Sequence, residues 1–115
     1  KLPQYTQELL DLKIQNAEAL NQLAWTILTD ENIKHRDLAL ATKLAAAGVA
    51  ASDGKMAAVL DTYARALFDS GNVTEAIAQQ KKALGVAKKS AEQEELERTL
   101  KHYQEKAAGK SPTGN

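Results

Sequence analysis

The stretch AAVLDTYARALFDSGNVTEAIAQQKKAL, residues 57–84, decides the fold. Leu60, Ala64 and Leu67 recur at four- and three-residue steps, which places them on one helical stripe. Ser70-Gly71 then breaks the pattern, because glycine can take the left-handed conformation that closes a helix. Asn72 followed by Glu75 has the spacing of a capping box, and a second helix is predicted from there to about Lys89. Lys81, Lys82, Lys88 and Lys89 would lie towards its C-terminal end, where the helix dipole favours cations. The whole stretch therefore reads as two helices joined by a tight turn.

The same grammar extends outward. Upstream, Leu10, Ile14, Ala17, Leu20, Ala24, Ile27 and Leu28 form another helical stripe, with Asn16 predicted to cap a new helix inside it. An alanine-rich helix is expected over Leu38 to Ala51, closed by Ser52-Asp53-Gly54. Downstream, Ser90 with Gln93 opens a fifth helix on the logic of the capping box. Its narrow stripe is Leu96, Leu100, Tyr103 and Ala107, and the pairs Glu94 with Arg98 and Glu97 with Lys101 have ion-pair spacing. Residues 109–115 read as a flexible tail. No segment alternates as a strand does, so the fold class is all-α.

Composition narrows the function. The chain has 115 residues, 43% of them hydrophobic and 26% charged, as expected of a single folded domain. Fifteen basic residues balance fifteen acidic ones, so the electropositive footprint of a nucleic-acid binder is missing. No apolar run reaches the roughly 20 residues that span a bilayer. The absence of cysteine excludes a disulfide, a thiol nucleophile and a cysteine-ligated zinc within these residues. The chain begins at Lys1, without methionine or visible secretory signal, and is expected to be a processed or excised fragment.

An internal repeat organises the chain. Leu20-x-x-Leu23-Ala24-x-x-Ile27 matches Leu60-x-x-Tyr63-Ala64-x-x-Leu67, and Ala41, Ala45 and Gly48-Val49 match Ala76, Gln80 and Ala83-Leu84. Leu60, Tyr63, Ala64, Leu67, Gly71, Ala76 and Ala83 resemble the helix-turn-helix signature of the tetratricopeptide repeat (TPR) family. The aromatic expected at Gln80 and the proline expected near Lys88 are missing. Repeat one carries five extra residues between its helices, within TDENIKH and Arg36, and this charged stretch reads as a solvated loop. The resemblance implies a short right-handed superhelix: repeat one over 17–51, repeat two over 55–89 and a capping helix over 91–108.

A narrower resemblance rests on LNQLAWTIL, RDLALATKLAAAGV and residues 57–84. It covers most of residues 17–103 and is to the helical region C-terminal to thioredoxin-like domains in some bacterial envelope proteins. That resemblance implies a periplasmic or envelope location and an accessory role beside a thiol-disulfide oxidoreductase. Redox activity does not carry over, since the cysteine pair is absent.

Candidate chemistry is sparse, and no catalytic, cofactor-binding or metal-ligating residue is expected. His35 and His102 lack a metal-binding spacing and read as solvated. Gly109-Lys110-Ser111 lacks the earlier glycine of a phosphate loop, and Asn72-Val73-Thr74, although a glycosylation sequon, reads as a helix cap. Asp61 and Arg65 have the spacing of a surface ion pair. In TPR proteins the first helix of each pair lines a concave groove. The resemblance thus implies a groove formed by Asn21, Trp25, Leu28, Asp61, Arg65 and Phe68, with Asn21 and Arg65 suited to a peptide backbone or carboxylate. The competing reading buries Trp25 and Phe68 against the N-terminal segment or the fifth helix. The expected function is a non-catalytic interaction or scaffolding module for a protein or peptide partner. Self-association through exposed apolar groove residues is the structural alternative.

Overall fold

The computed structural model describes residues 2–109, with side chains from Gln15 onward. Five helices make up the fold in chain order: α1 (Leu2–Thr29), α2 (Leu38–Ala51), α3 (Ala57–Asp69), α4 (Val73–Val86) and α5 (Ser90–Ala107). Among the described residues there is no strand. Each helix packs on the next in sequence, and α1 also packs on α3. Short connections impose this arrangement, since a chain that turns within a few residues must run back along the helix it has left.

Alanine sets how closely the helices approach. Ala17, Ala24, Ala41, Ala45, Ala64, Ala76 and Ala83 are all 0% exposed, so neighbouring backbones come together over methyl groups. Gly48 goes further: a Cβ there would stand 3.0 Å from Cγ1 of Val59 on α3 and 3.5 Å from the Ala17 carbonyl of α1. With so many small side chains, the few large buried ones supply much of the hydrophobic stabilisation, at about 2 kcal/mol for each leucine. Apart from Val59, these large buried ones lie in three clusters. Leu28 packs with Ala41 and Ala66. Leu60 packs with Ala57, Ala83, Ala87 and Leu96. Leu67 packs with Ala64, Ala76 and Tyr103. Two of these clusters need a side chain from α5, which is therefore structural.

Several local expectations are corrected. Helix α1 continues through Asn16 without a break. Asparagine costs only a few tenths of a kcal/mol in a helix interior, and the unbroken helix keeps Ala17, Ala24 and Leu28 buried in one register. Leu10 and Ile14 lie outside the described side chains, as residues 110–115, including Lys110 and Ser111, lie outside the described chain. The capping box at Asn72 does not form. Its backbone N–H donates to the Leu67 carbonyl at 2.8 Å, closing α3 around left-handed Gly71 (φ 91°). Glu75 meanwhile accepts from Gln79 Nε2 at 2.8 Å. Helix α4 stops at Val86 because Ala87 turns extended and enters the cluster of Leu60 and Leu96, leaving Lys88 and Lys89 in the connection.

Ser90 starts α5 but gives no side-chain cap; Gln93 Nε2 instead donates to the Ala87 carbonyl at 2.9 Å, tying α5 to the end of α4. Ala107 is exposed and Leu100 only half-buried, so the α5 stripe narrows to Leu96 and Tyr103. Neither charged pair on α5 closes into a salt bridge among the described residues, consistent with the small gain such exposed pairs offer.

Residues 30–37 separate α1 from α2 while residues 70–72 separate α3 from α4, which gives the five additional residues counted in the sequence. This longer connection is only partly solvated. His35 is exposed. Arg36 folds back, however, and its Nη1 donates to the Ile27 carbonyl at 2.7 Å, satisfying an acceptor in the last turn of α1. Asp37 then caps α2 by accepting from the Leu40 N–H at 3.0 Å.

Candidate functional site

Helices α1, α3 and α5 jointly line a cleft of about 300 Å³, with Trp25 from the first, Asp61 from the second, and Glu95, Leu96 and Thr99 from the third. Thr99 also borders a neighbouring hollow of about 410 Å³, lined by Arg65, Phe68 and Asp69 of α3 and by Arg98, His102 and Tyr103 of α5. The two hollows adjoin at Thr99, and together they are the candidate groove between α3 and α5, with Trp25 lining the first of them.

Hydrogen bonds hold the two polar residues that α3 places at the centre of the site, Asp61 and Arg65. Asp61 is half-buried and accepts from Nε2 of Gln80 at 3.0 Å. Gln80 itself is fully buried, and the same Nε2 donates to the Leu96 carbonyl at 3.2 Å. This amide therefore joins α3 to α5 through α4, at the position where the repeat signature expects an aromatic. Burial pushes the Asp61 carboxyl above its ordinary pKa of 3.8; Glu95 and Glu92 push the same way, against the hydrogen bond from Gln80 and the charge of Arg65. Burial likewise raises the Tyr103 phenol above its usual range, with Asp61 adding to the effect.

The expected ion pair of Asp61 with Arg65 is replaced by another. Arg65 Nε donates to Oδ2 of Asp69 at 2.9 Å, one turn further along α3. Its guanidinium also lies 5.9 Å from the centre of the Trp25 ring, at the outer reach of a cation–π contact. With its charge engaged in this way, Arg65 is poorly placed to recognise a carboxylate.

The six residues assigned to the groove divide accordingly. Trp25 and Asp61 meet in the first hollow, while Arg65 and Phe68 line the second. Trp25 is 37% exposed and so is not a core residue. Phe68 is half-buried: its ring stacks on Tyr103 with centroids 4.3 Å apart and meets His102 at 5.4 Å, so α5 covers part of it. Leu28 is corrected, since at 2% exposure it belongs to the cluster with Ala41 and Ala66 and cannot touch a ligand. Asn21 lines neither hollow; it is half-buried, and its Oδ1 has no partner among the described residues.

Seven lining residues were missed: Asp69 on α3, and Glu95, Leu96, Arg98, Thr99, His102 and Tyr103 on α5. Helix α5 reads from sequence as a cover with a single apolar stripe. The recoverable signal was the 95, 98/99, 102 spacing, a polar row beside Leu96 and Tyr103 on the same side of the helix.

A third hollow follows the outer side of α5, where the described lining is Glu94, Glu97, Arg98, Leu100, Lys101 and Gln104. One helix alone supplies that lining, and its charges are mixed. No group of three or more histidines, cysteines or carboxylates placed to hold a metal occurs among the described residues. No described helix is long and apolar enough to cross a membrane. No protein-family model, curated protein or solved structure matches this chain.

Proposed function

We propose that this chain is a non-catalytic, TPR-like interaction module that holds a short peptide segment of a partner protein between α1, α3 and α5. The observation that carries the reading is the pair of hollows between these helices that adjoin at Thr99, with the partly exposed Trp25 lining one and Phe68 lining the other. Flat, rigid aromatic surface bordered by polar groups is the usual composition of a peptide-binding hot spot. Helices already fixed by packing lose little conformational entropy when a ligand arrives.

The order of helix contacts supports the repeat reading. Pairs α1/α2 and α3/α4 are joined by contacts of α2 and α1 with α3, and α5 follows α4 as the first helix of a third pair would. Of the signature positions, Leu60, Ala64, Leu67, Ala76 and Ala83 are buried, Tyr63 is half-buried and Gly71 is exposed in the turn. Departures mark the limits of the likeness: Leu23 is 55% exposed where its counterpart Tyr63 is half-buried, Gln80 replaces an aromatic, the proline near Lys88 is missing, and repeat one has five extra residues between its helices. A groove built from so few repeats is short, which favours micromolar rather than nanomolar affinity.

Selection from a random peptide display library on the immobilised chain tests the reading. Enriched peptides should bind at least about tenfold more weakly to Thr99→Arg, which fills the shared part of the groove with an arginine side chain. Thr99 is only half-buried and arginine is a good helix former, so a matching melting curve should accompany the loss. Absence of enrichment, or peptides that bind Thr99→Arg equally well, contradicts the proposal.

A further inference from the structure

The two ends of the groove differ in charge. At the Trp25 end the lining carboxylates are Asp61 and Glu95, and Glu92 is close enough for its charge to act on Asp61. The nearby cation, Arg65, is already compensated by Asp69 on its own helix. At the opposite end the lining includes Arg98 and His102. No salt bridge engages Arg98 among the described residues, whereas the one carboxylate lining that end, Asp69, is held by Arg65. The hollow beside Trp25 thus has an excess of negative charge, and the other has an excess of positive charge beside an imidazole.

Resting on the peptide-binding reading above, we infer that the groove selects a segment bearing a lysine or arginine and, about three residues away, a carboxylate. The cation lies beside Trp25 between Asp61 and Glu95, where the two carboxylates favour it; Arg65 already stands over the indole ring, so the carboxylates supply the attraction. The carboxylate meets Arg98 and His102. The spacing follows from α5: Glu95 and His102 are seven residues apart, or roughly 10 Å at 1.5 Å per residue. A peptide in the polyproline II conformation covers about 9 Å in three residues at 3.1 Å each, and its three-residue turn brings both side chains to the same face. The reverse arrangement sets the ligand's carboxylate against Asp61 and Glu95. A polyanion such as a nucleic acid meets the same repulsion.

Trp25 is the chain's only tryptophan, so its fluorescence reports directly on the acidic end. The probes are acetyl-Lys-Ala-Ala-Glu-amide and its reverse, acetyl-Glu-Ala-Ala-Lys-amide, which present the charge pair in the two chain directions. Single-charge peptides with alanine at either charged position, and a neutral peptide with glutamine at both, serve as comparisons. One of the two doubly charged peptides should give a saturable fluorescence change, with each single-charge peptide about tenfold weaker and the neutral one weaker still. Glu95→Gln should abolish the preference for lysine while keeping that for glutamate, and Arg98→Gln should do the opposite. Both positions are exposed, and circular dichroism confirms that the variants fold.

Equal binding of charged and neutral peptides, or charge preferences unaffected by these substitutions, overturns the inference. If library-selected peptides bind in a Thr99→Arg-sensitive way but carry no such charge pair, the charge inference fails and the peptide-binding reading stands. If no peptide of either kind binds, both fail.

Discussion

Asp61 shows how one residue links the groove to the stability of the chain. Its carboxyl is partly buried, faces Glu95 and Glu92, and has a pKa raised above 3.8. The sign follows from proton linkage. Below 3.8 the group is protonated in both folded and unfolded chains and has no effect on the balance. As pH rises through the folded-state pKa, the folded chain must ionise against burial while the unfolded chain has already done so, and stability falls. Asp61→Asn keeps an acceptor for Gln80 but removes the charge. It should melt higher than the natural chain at neutral pH, with the gap closing as pH falls towards 3.8. A pH-independent gap in thermal melts would contradict this assignment.

Arg36 carries a second residue-scale prediction. Its bond to the Ile27 carbonyl is partly buried, so Arg36→Ala should cost about 1–2 kcal/mol. The neighbouring His35→Ala should stay within about 0.5 kcal/mol of the natural chain. Urea unfolding measures both, and equal midpoints for the two variants would show that the loop is as solvated as its charge suggests.

At the scale of elements, the sequence revealed helix identity far better than helix termination. Stripes such as Leu60, Ala64 and Leu67 are dictated by burial and are visible as spacing. Caps depend on which of several competing partners wins. Asn72 and Glu75 satisfy the capping-box pattern, yet the Asn72 N–H is already used to close α3 and Glu75 is held by Gln79. Likewise, Lys88 and Lys89 are compatible with a helix, but burying Ala87 among Leu60, Ala83 and Leu96 ends α4 before them. Such outcomes depend on tertiary contacts that no local pattern encodes.

The two helical glycines separate propensity from packing. A Cβ added at Gly85 would meet no neighbouring heavy atom within 4 Å, so Gly85→Ala should gain about 1 kcal/mol, or several degrees in melting temperature. Gly48→Ala brings the same intrinsic gain but presses its methyl to 3.0 Å from Val59 Cγ1, on a buried β-branched side chain with little rotamer freedom. It should melt at or below the natural chain and well below Gly85→Ala. Equal stabilisation by the two substitutions would show that α2 and α3 are less closely packed at this crossing.

For the whole molecule, the all-α class and the order of helices were legible in the sequence, whereas the role of α5 was not. A cover needs only an apolar stripe, and Leu96 with Tyr103 supplies one. Only the folded chain shows that the polar row beside that stripe faces Trp25 and Asp61 across a groove. The same limit applied to Leu28, which has groove spacing by analogy but is consumed by the contact between α1 and α2. Helix α5 is also integral to stability. Removing residues 90–115 uncovers the clusters of Leu60 and Leu67 and deletes Leu96 and Tyr103, a loss of about 4 kcal/mol or more from a domain whose margin is typically 5–15. The truncated chain should lose cooperative thermal unfolding by circular dichroism; an unchanged transition would return α5 to the status of an appendage.

Peptide binding at the face of α1, α3 and α5 is the proposal on which the others rest. NMR mapping of backbone and indole amide shifts tests it, with acetyl-Lys-Ala-Ala-Glu-amide and, separately, its reverse as ligands. With the better-binding peptide, saturable shifts should concentrate at Trp25, Asp61, Glu95, Thr99 and His102. Shifts centred on exposed positions of the other helices, such as Lys43 and Lys81, or none at saturating concentrations of either peptide, would contradict it.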